Sequence, residues 1–289
     1  MSTTSQLDIG SARRVDLELA PRQRIAALQA GSPAAPPVLL VPGYTGSKED
    51  FGPILDLVAD AGFRVTAIDL PGQFESPGFD RPADYTPDRL ADAVRAVAGR
   101  LGERVHLLGH SFGGLVARAA VIAEPPLFAS LALLSSGPSR LDGTRRNTMD
   151  QMEPMLAASG LPGVYAAMQA VAMDAPGFVA PPPEVAEFLE RRFLGGSPAM
   201  LQGMADALRH EPDRVTELAA AGTPTLVLHG ADDDAWPPTT QREMAQRLAA
   251  RYEVIPAAAH SAAVENPAAT AAALVAFWRE SSGIAAGHR

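Results

Sequence analysis

The chain has 289 residues, 47% hydrophobic and 20% charged, a balance that suits one sizeable α/β core with a modest insertion. It has no cysteine, which excludes disulfides, thiolate metal sites and a cysteine nucleophile, and its formal net charge of -9 argues against nucleic acid or an anionic membrane as partner. No uninterrupted apolar run reaches membrane-spanning length, and the first eight residues lack the basic start and apolar core of a signal peptide, so the expected setting is the cytoplasm.

Val15-Asp16-Leu17-Glu18-Leu19 alternates apolar and polar side chains and, with Arg24-Ile25-Ala26-Ala27-Leu28, predicts a β-hairpin with one wet face. Val38-Leu39-Leu40-Val41 is a continuous apolar run of the kind buried on both faces of a parallel sheet. Ser47 and Asp50 then fit a capping box, and Phe51, Ile54, Leu55 and Val58 form the apolar stripe of a helix that Gly62 ends. Phe63-Arg64-Val65-Thr66-Ala67-Ile68 is the next strand, and residues 69–84 form a loop rich in proline and glycine. Thr86-Pro87 opens a helix with Leu90, Val94, Val97 and Leu101 on one face and Gly102 at its end.

Val105-His106-Leu107-Leu108 leads into Gly109-His110-Ser111-Phe112-Gly113, and residues 114–122 read as a helix. Strand, sharp turn with a serine at its tip, helix: this is the setting of a G-x-S-x-G nucleophile elbow. The turn strains the serine backbone, and a β-carbon on either flanking glycine would strike the neighbouring strand or helix. Leu131-Ala132-Leu133-Leu134 is a further buried strand. The steady alternation predicts an α/β fold built on a mostly parallel, doubly wound sheet.

After Ser139 the rhythm stops, and residues 140–222 hold only helical segments, at 147–158, 163–173, 183–193, 199–209 and 212–221. It resumes with a strand at 225–228, a helix at 239–250, a strand at 252–255 and a last helix, opened by Asn266-Pro267, with Leu274, Phe277 and Trp278 facing inward. The expected organisation is a core in two parts, 1–139 and 223–289, with an all-helical cap, 140–222, over the carboxyl ends of the strands. A helical domain beside the core is the alternative. Seven of the nine methionines fall in the insertion, either as its own core or as an adaptable apolar pocket lining.

A serine hydroxyl needs a base to take its proton and an acid to orient that base. In an elbow fold these follow at later strand ends, acid before histidine. His229-Gly230-Ala231-Asp232-Asp233-Asp234 begins where a strand ends, and Asp233 is the chosen acid, with Asp232 and Asp234 open as alternatives. His260 follows the last strand and is the chosen base. Of the other histidines, His106 lies within the elbow strand, His110 is expected to point away from the nucleophile, and His229 precedes the acid. His210 lies in the insertion and His288 in the tail. Two backbone N–H groups should form an oxyanion hole, one from Phe112 and the other from Tyr44 in Pro42-Gly43-Tyr44-Thr45-Gly46.

With Asp69-Leu70-Pro71-Gly72 and Ala259-His260-Ser261, these pieces make the chain resemble the α/β-hydrolase fold superfamily from about Val15 to Trp278. It departs from that pattern at Pro42, where many members have histidine, and at Phe74, where members often have glycine and a locally different turn is expected. The resemblance implies a serine hydrolase that takes a small to medium apolar ester, thioester or lactone through an acyl-enzyme on Ser111. The alternatives are a cofactor-free lyase, a C–C hydrolase, a perhydrolase or a non-catalytic binder on the same scaffold. No motif for a cofactor or metal is present, and a small molecule is the only partner expected.

Overall fold

The computed structural model describes residues 5–20, 23–102, 104–174 and 178–283. β1 (Arg13–Ala20) and β2 (Gln23–Ala30) form the hairpin, and β3 (Pro37–Val41), α1 (Gly52–Asp60), β4 (Arg64–Ile68), α2 (Pro87–Leu101), β5 (Val105–His110), α3 (Phe112–Ala123) and β6 (Phe128–Leu134) follow in alternation. Four helices come next: α4 (Gly143–Met173), α5 (Pro183–Leu194), α6 (Pro198–His210) and α7 (Val215–Ala221). β7 (Thr225–Gly230), α8 (Pro238–Arg247), β8 (Arg251–Ile255), a single turn α9 (Ala262–Glu265) and α10 (Pro267–Ser281) complete the described residues.

The strands make one 8-stranded sheet in the order β1-β2-β4-β3-β5-β6-β7-β8. The hairpin joins it antiparallel, β2 against β4, and β3 to β8 run parallel. Side-chain alternation splits the core into two layers. Leu39, Leu107, Leu131 and Leu133 pack under α2 and α3, while Leu40, Leu108, Ala132 and Leu134 pack under α1 and α10. Every residue of β5 and β6 is buried, as a sheet covered on both faces requires. Trp278, fully buried on α10, stacks edge-on to Phe63 at 5.6 Å and anchors the second layer.

The helix ends follow their local chemistry. Thr86 Oγ1 accepts from the Arg89 amide at 3.2 Å and Asn266 Oδ1 from the Ala269 amide at 3.3 Å. Asp50 accepts from the Ser47 amide at 3.1 Å, in the short turn that leads into α1.

Some boundaries of the insertion helices differ from the sequence reading. The expected segments at 147–158 and 163–173 are the two helical pieces of α4, which starts earlier, at Gly143, and is broken at Gly160, where φ is 62° and ψ is -165°. The last insertion helix starts at Val215 rather than residue 212. By length and composition α4 is also apolar enough to cross a membrane, although it holds no uninterrupted apolar run of that length. Neutral residues such as Ser159, Gly163 and Gln169 interrupt its apolar run, so a search for consecutive apolar residues passes over it. The break at Gly160 leaves two pieces, each shorter than the roughly 20 residues a helical span needs.

Candidate active site

The turn between β5 and α3 places Ser111 at the tip with φ 54° and ψ -121°, a left-handed conformation that costs energy in any residue with a β-carbon. Two hydrogen bonds over-determine it. The Ser111 amide donates to Leu134 O of β6 at 2.9 Å, and Ser136 Oγ donates to Ser111 O at 2.8 Å. The flanking glycines are required by space: a β-carbon on Gly109 would meet the Gly113 carbonyl, and one on Gly113 would meet the carbonyls of Val41 and Pro42. Phe112 is the first residue of α3, so its N–H lies at the positive end of the helix dipole.

Among the three adjacent aspartates only Asp233 is buried; Asp232 and Asp234 are exposed. Asp233 Oδ1 lies 2.9 Å from His260 Nδ1 and accepts from the Ala235 amide at 3.1 Å, while Oδ2 accepts from Gln241 Nε2 at 2.9 Å. Burial alone would raise its pKa. The hydrogen bond and charge of His260, with the Ala235 amide and Gln241, outweigh that and hold the carboxyl down at about 2. Asp234 instead forms a surface pair with Arg145 at 2.6 Å.

Ser111, His260, Gly43 and Tyr44 line one cavity of about 730 Å³, bounded on its other side by Met149, Met152, Leu156 and Met168 of α4 and Leu201 of α6. Gly43 lies against the serine, since a β-carbon there would sit 3.2 Å from Ser111 Cβ. The Tyr44 hydroxyl donates to Leu201 O at 2.8 Å, and Arg192 of α5 pairs with Asp50 at 2.5 Å. The insertion is thus tied to the loop after β3 at two points.

The sequence model of the alpha/beta hydrolase family matches residues 38–273. The chain belongs to that family. A protein of Variovorax paradoxus named as a carbamate hydrolase, RutD, is 30% identical over 213 residues, which span 73% of this chain and 79% of the relative. The 2-succinyl-6-hydroxy-2,4-cyclohexadiene-1-carboxylate synthase of Enterobacter sp. is 25% identical over 269 residues, 87% of this chain and 95% of that one. Among solved structures, a thermophilic esterase from Thermogutta terrifontis superposes with a TM-score of 0.76 at 27% identity, covering 93% of this chain and 99% of the esterase.

The hydrolase also makes contacts around the cavity that the sequence reading passed over. His110 packs its ring 5.0 Å from that of His260, with Nε2 2.8 Å from the His260 carbonyl. Burial, with the neighbouring His260, pushes its pKa down to about 4, so it is the neutral Nε2–H form that donates there. Its side chain follows the turn out of the sheet toward the loop after β8. His106 bonds Ser130 and Ser282, and His229 bonds Tyr252, and neither histidine lines the cavity. His210 is exposed and His288 lies outside the described residues.

Beneath the loop after β3, the chain's one lysine is fully buried. Lys48 Nζ lies 2.9 Å from Asp69, 3.1 Å from Glu49 and 2.6 Å from Glu75. Burial pushes the Asp69 carboxyl up to about 6 in spite of that lysine. The cluster joins the loop after β3 to the loop after β4. In the second loop Phe74 takes φ 32°, the conformation glycine would adopt without strain, and its ring packs between Lys48 and Phe188 of α5.

Proposed function

We propose that this hydrolase cleaves a carboxylic ester, or a thioester or lactone, of a small to medium apolar substrate, with Ser111 as nucleophile, His260 as base and Asp233 as orienting acid. The observation that carries the reading is the 2.9 Å contact of His260 Nδ1 with buried, ionised Asp233, His260 and Ser111 both lining the cavity. With Nδ1–H held by the carboxylate, Nε2 is left as the acceptor. Ser111 Oγ forms a bond to the carbonyl carbon as its proton passes to His260 Nε2. The tetrahedral oxyanion takes hydrogen bonds from the Tyr44 and Phe112 amides, and its collapse expels the alcohol, which leaves with the proton from His260. Water then repeats the sequence on the acyl-enzyme and releases the acid.

The insertion acts as a cap in this reading, and the apolar cavity wall of α4 selects the acyl or alcohol group by size. A carbamate, the substrate in the name of the Variovorax relative, presents the same type of carbonyl and belongs in the same test. The test is a panel of p-nitrophenyl esters of graded chain length and one p-nitrophenyl carbamate, run with wild type and Ser111→Ala. Ester turnover that Ser111→Ala abolishes supports the proposal. Absent turnover across the panel, or turnover that survives the substitution, sinks it.

A further inference from the structure

Pro42 stands where a histidine side chain could have supported the loop after β3, and a side chain from another loop is bonded to it instead. Gln73, 1% exposed, sits in the loop after β4. Its Oε1 accepts from the Leu70 amide at 2.9 Å, which fixes which end of the amide is oxygen. Its Nε2 therefore faces outward and donates to Gly43 O at 2.6 Å and to Tyr44 O at 3.3 Å. The second lone pair of Gly43 O is filled by the Gly46 amide at 3.2 Å, within the turn.

We propose that Gln73 is a positioning residue for catalysis: by holding the Gly43 and Tyr44 carbonyls it sets the peptide plane whose N–H stabilises the oxyanion. The inference rests on the assignment of the Tyr44 amide to the oxyanion hole. Gly43 C=O and Tyr44 N–H belong to one peptide unit, and no peptide bond among the described residues is cis. In a planar trans unit the two groups point in opposite directions. A carbonyl held toward Gln73 thus turns the Tyr44 N–H away from it, to the side where Gly43 abuts Ser111. Glycine at 43 resists rotation of this plane poorly, so the turn bond from Gly46 alone leaves it free to flip. Two donors from one buried amide on successive carbonyls stop that flip. Gln73 touches no substrate and acts through the backbone alone.

Two variants separate this role from general packing. Gln73→Glu keeps the shape and the acceptor for Leu70 but presents a carboxylate to two carbonyls. Gln73→Met keeps the volume and removes every hydrogen bond. The readouts are kcat and KM on the best p-nitrophenyl ester, Ki for an alkyl boronic acid that forms a tetrahedral adduct on serine, and Tm. Loss of one oxyanion donor costs about 10²–10³ in kcat, and the surviving Gly46 bond makes the expected loss smaller, about 10- to 100-fold. KM should stay within about threefold while the boronate Ki rises in step with the fall in kcat, as a defect confined to the transition state requires. Wild-type kcat and Ki in a folded variant overturn the proposal. So does a loss carried by KM with Ki unchanged, and failure of both variants to fold assigns Gln73 to folding instead. A wild-type enzyme that neither turns over esters nor binds the boronate refutes the hydrolase mechanism itself, a different outcome from active wild type with indifferent variants.

Discussion

Replacing Asp233 by asparagine removes one charge and reorders three hydrogen bonds. The carboxylate accepts from His260 Nδ1, the Ala235 amide and Gln241 Nε2, all donors. An amide has one acceptor end. With its NH2 toward His260 it also meets the Ala235 N–H, and Nδ1 must become an acceptor, which leaves the proton on Nε2 where it cannot accept from serine. With its NH2 toward Gln241, donor faces donor, and the imidazolium formed in the reaction still loses its counter-charge. The fall of the Asp233 pKa from 3.8 to about 2 means the ionised form is favoured in place by roughly 2 kcal/mol. The same change in a serine protease costs about 10⁴-fold in kcat. For this enzyme Asp233→Asn should lower kcat/KM on a p-nitrophenyl ester by about 10³–10⁴-fold, equivalent to ~4–5.5 kcal/mol of transition-state stabilisation. Asp234→Asn, which breaks only an exposed pair with Arg145, should stay within about threefold of wild type. Activity of Asp233→Asn within tenfold of wild type, or a crippling effect at Asp234 alone, would refute the reasoning.

Tyr44→Phe frees the loop after β3 from Leu201 O, and one neutral hydrogen bond of about 1 kcal/mol predicts a kcat about fivefold lower; an unchanged kcat would show that the tie to α6 does not reach the reaction. Met152→Ala and Met168→Ala, on the cavity wall, should shift the ratio of kcat/KM between long and short acyl esters. Met204→Ala, fully buried in the main core, should lower stability by about 2–5 kcal/mol in urea unfolding and leave that ratio alone. The raised pKa of Asp69 gives a stability contribution that is full below about pH 4 and lost as pH rises through about 6. Asp69→Asn should therefore flatten the pH dependence of the urea midpoint across that window, and an unaltered slope would count against the buried acid.

The succession of strands and helices along the chain and the place of Ser111 are legible in the sequence because each depends on a local pattern: apolar runs, caps, and a serine between glycines that a strand and helix crowd on both sides. The acid loop is legible only to within a residue. Three aspartates share one composition, and what separates Asp233 is the turn after β7 that buries it, Asp233 N donating to Gly230 O at 3.1 Å and Asp232 N to Ala258 O at 3.0 Å. Gln73, Gln241 and the contact of His110 with His260 left no signal, since neutral amides bonded across distant loops follow no spacing. Which methionines face the cavity depends on the rotation of α4 and α6 about their axes. Composition places Met204 beside Met152, and packing parts them.

The central claim, that Ser111 is a nucleophile in the cavity activated by His260, with Asp233 behind it, is tested most directly by covalent trapping. Wild-type protein incubated with a fluorophosphonate should gain one adduct by intact mass, and peptide mapping should place it on Ser111, with His260→Ala labelled at least about 10³-fold more slowly. An unshifted mass in the wild type, or an adduct on any other serine, would contradict the account.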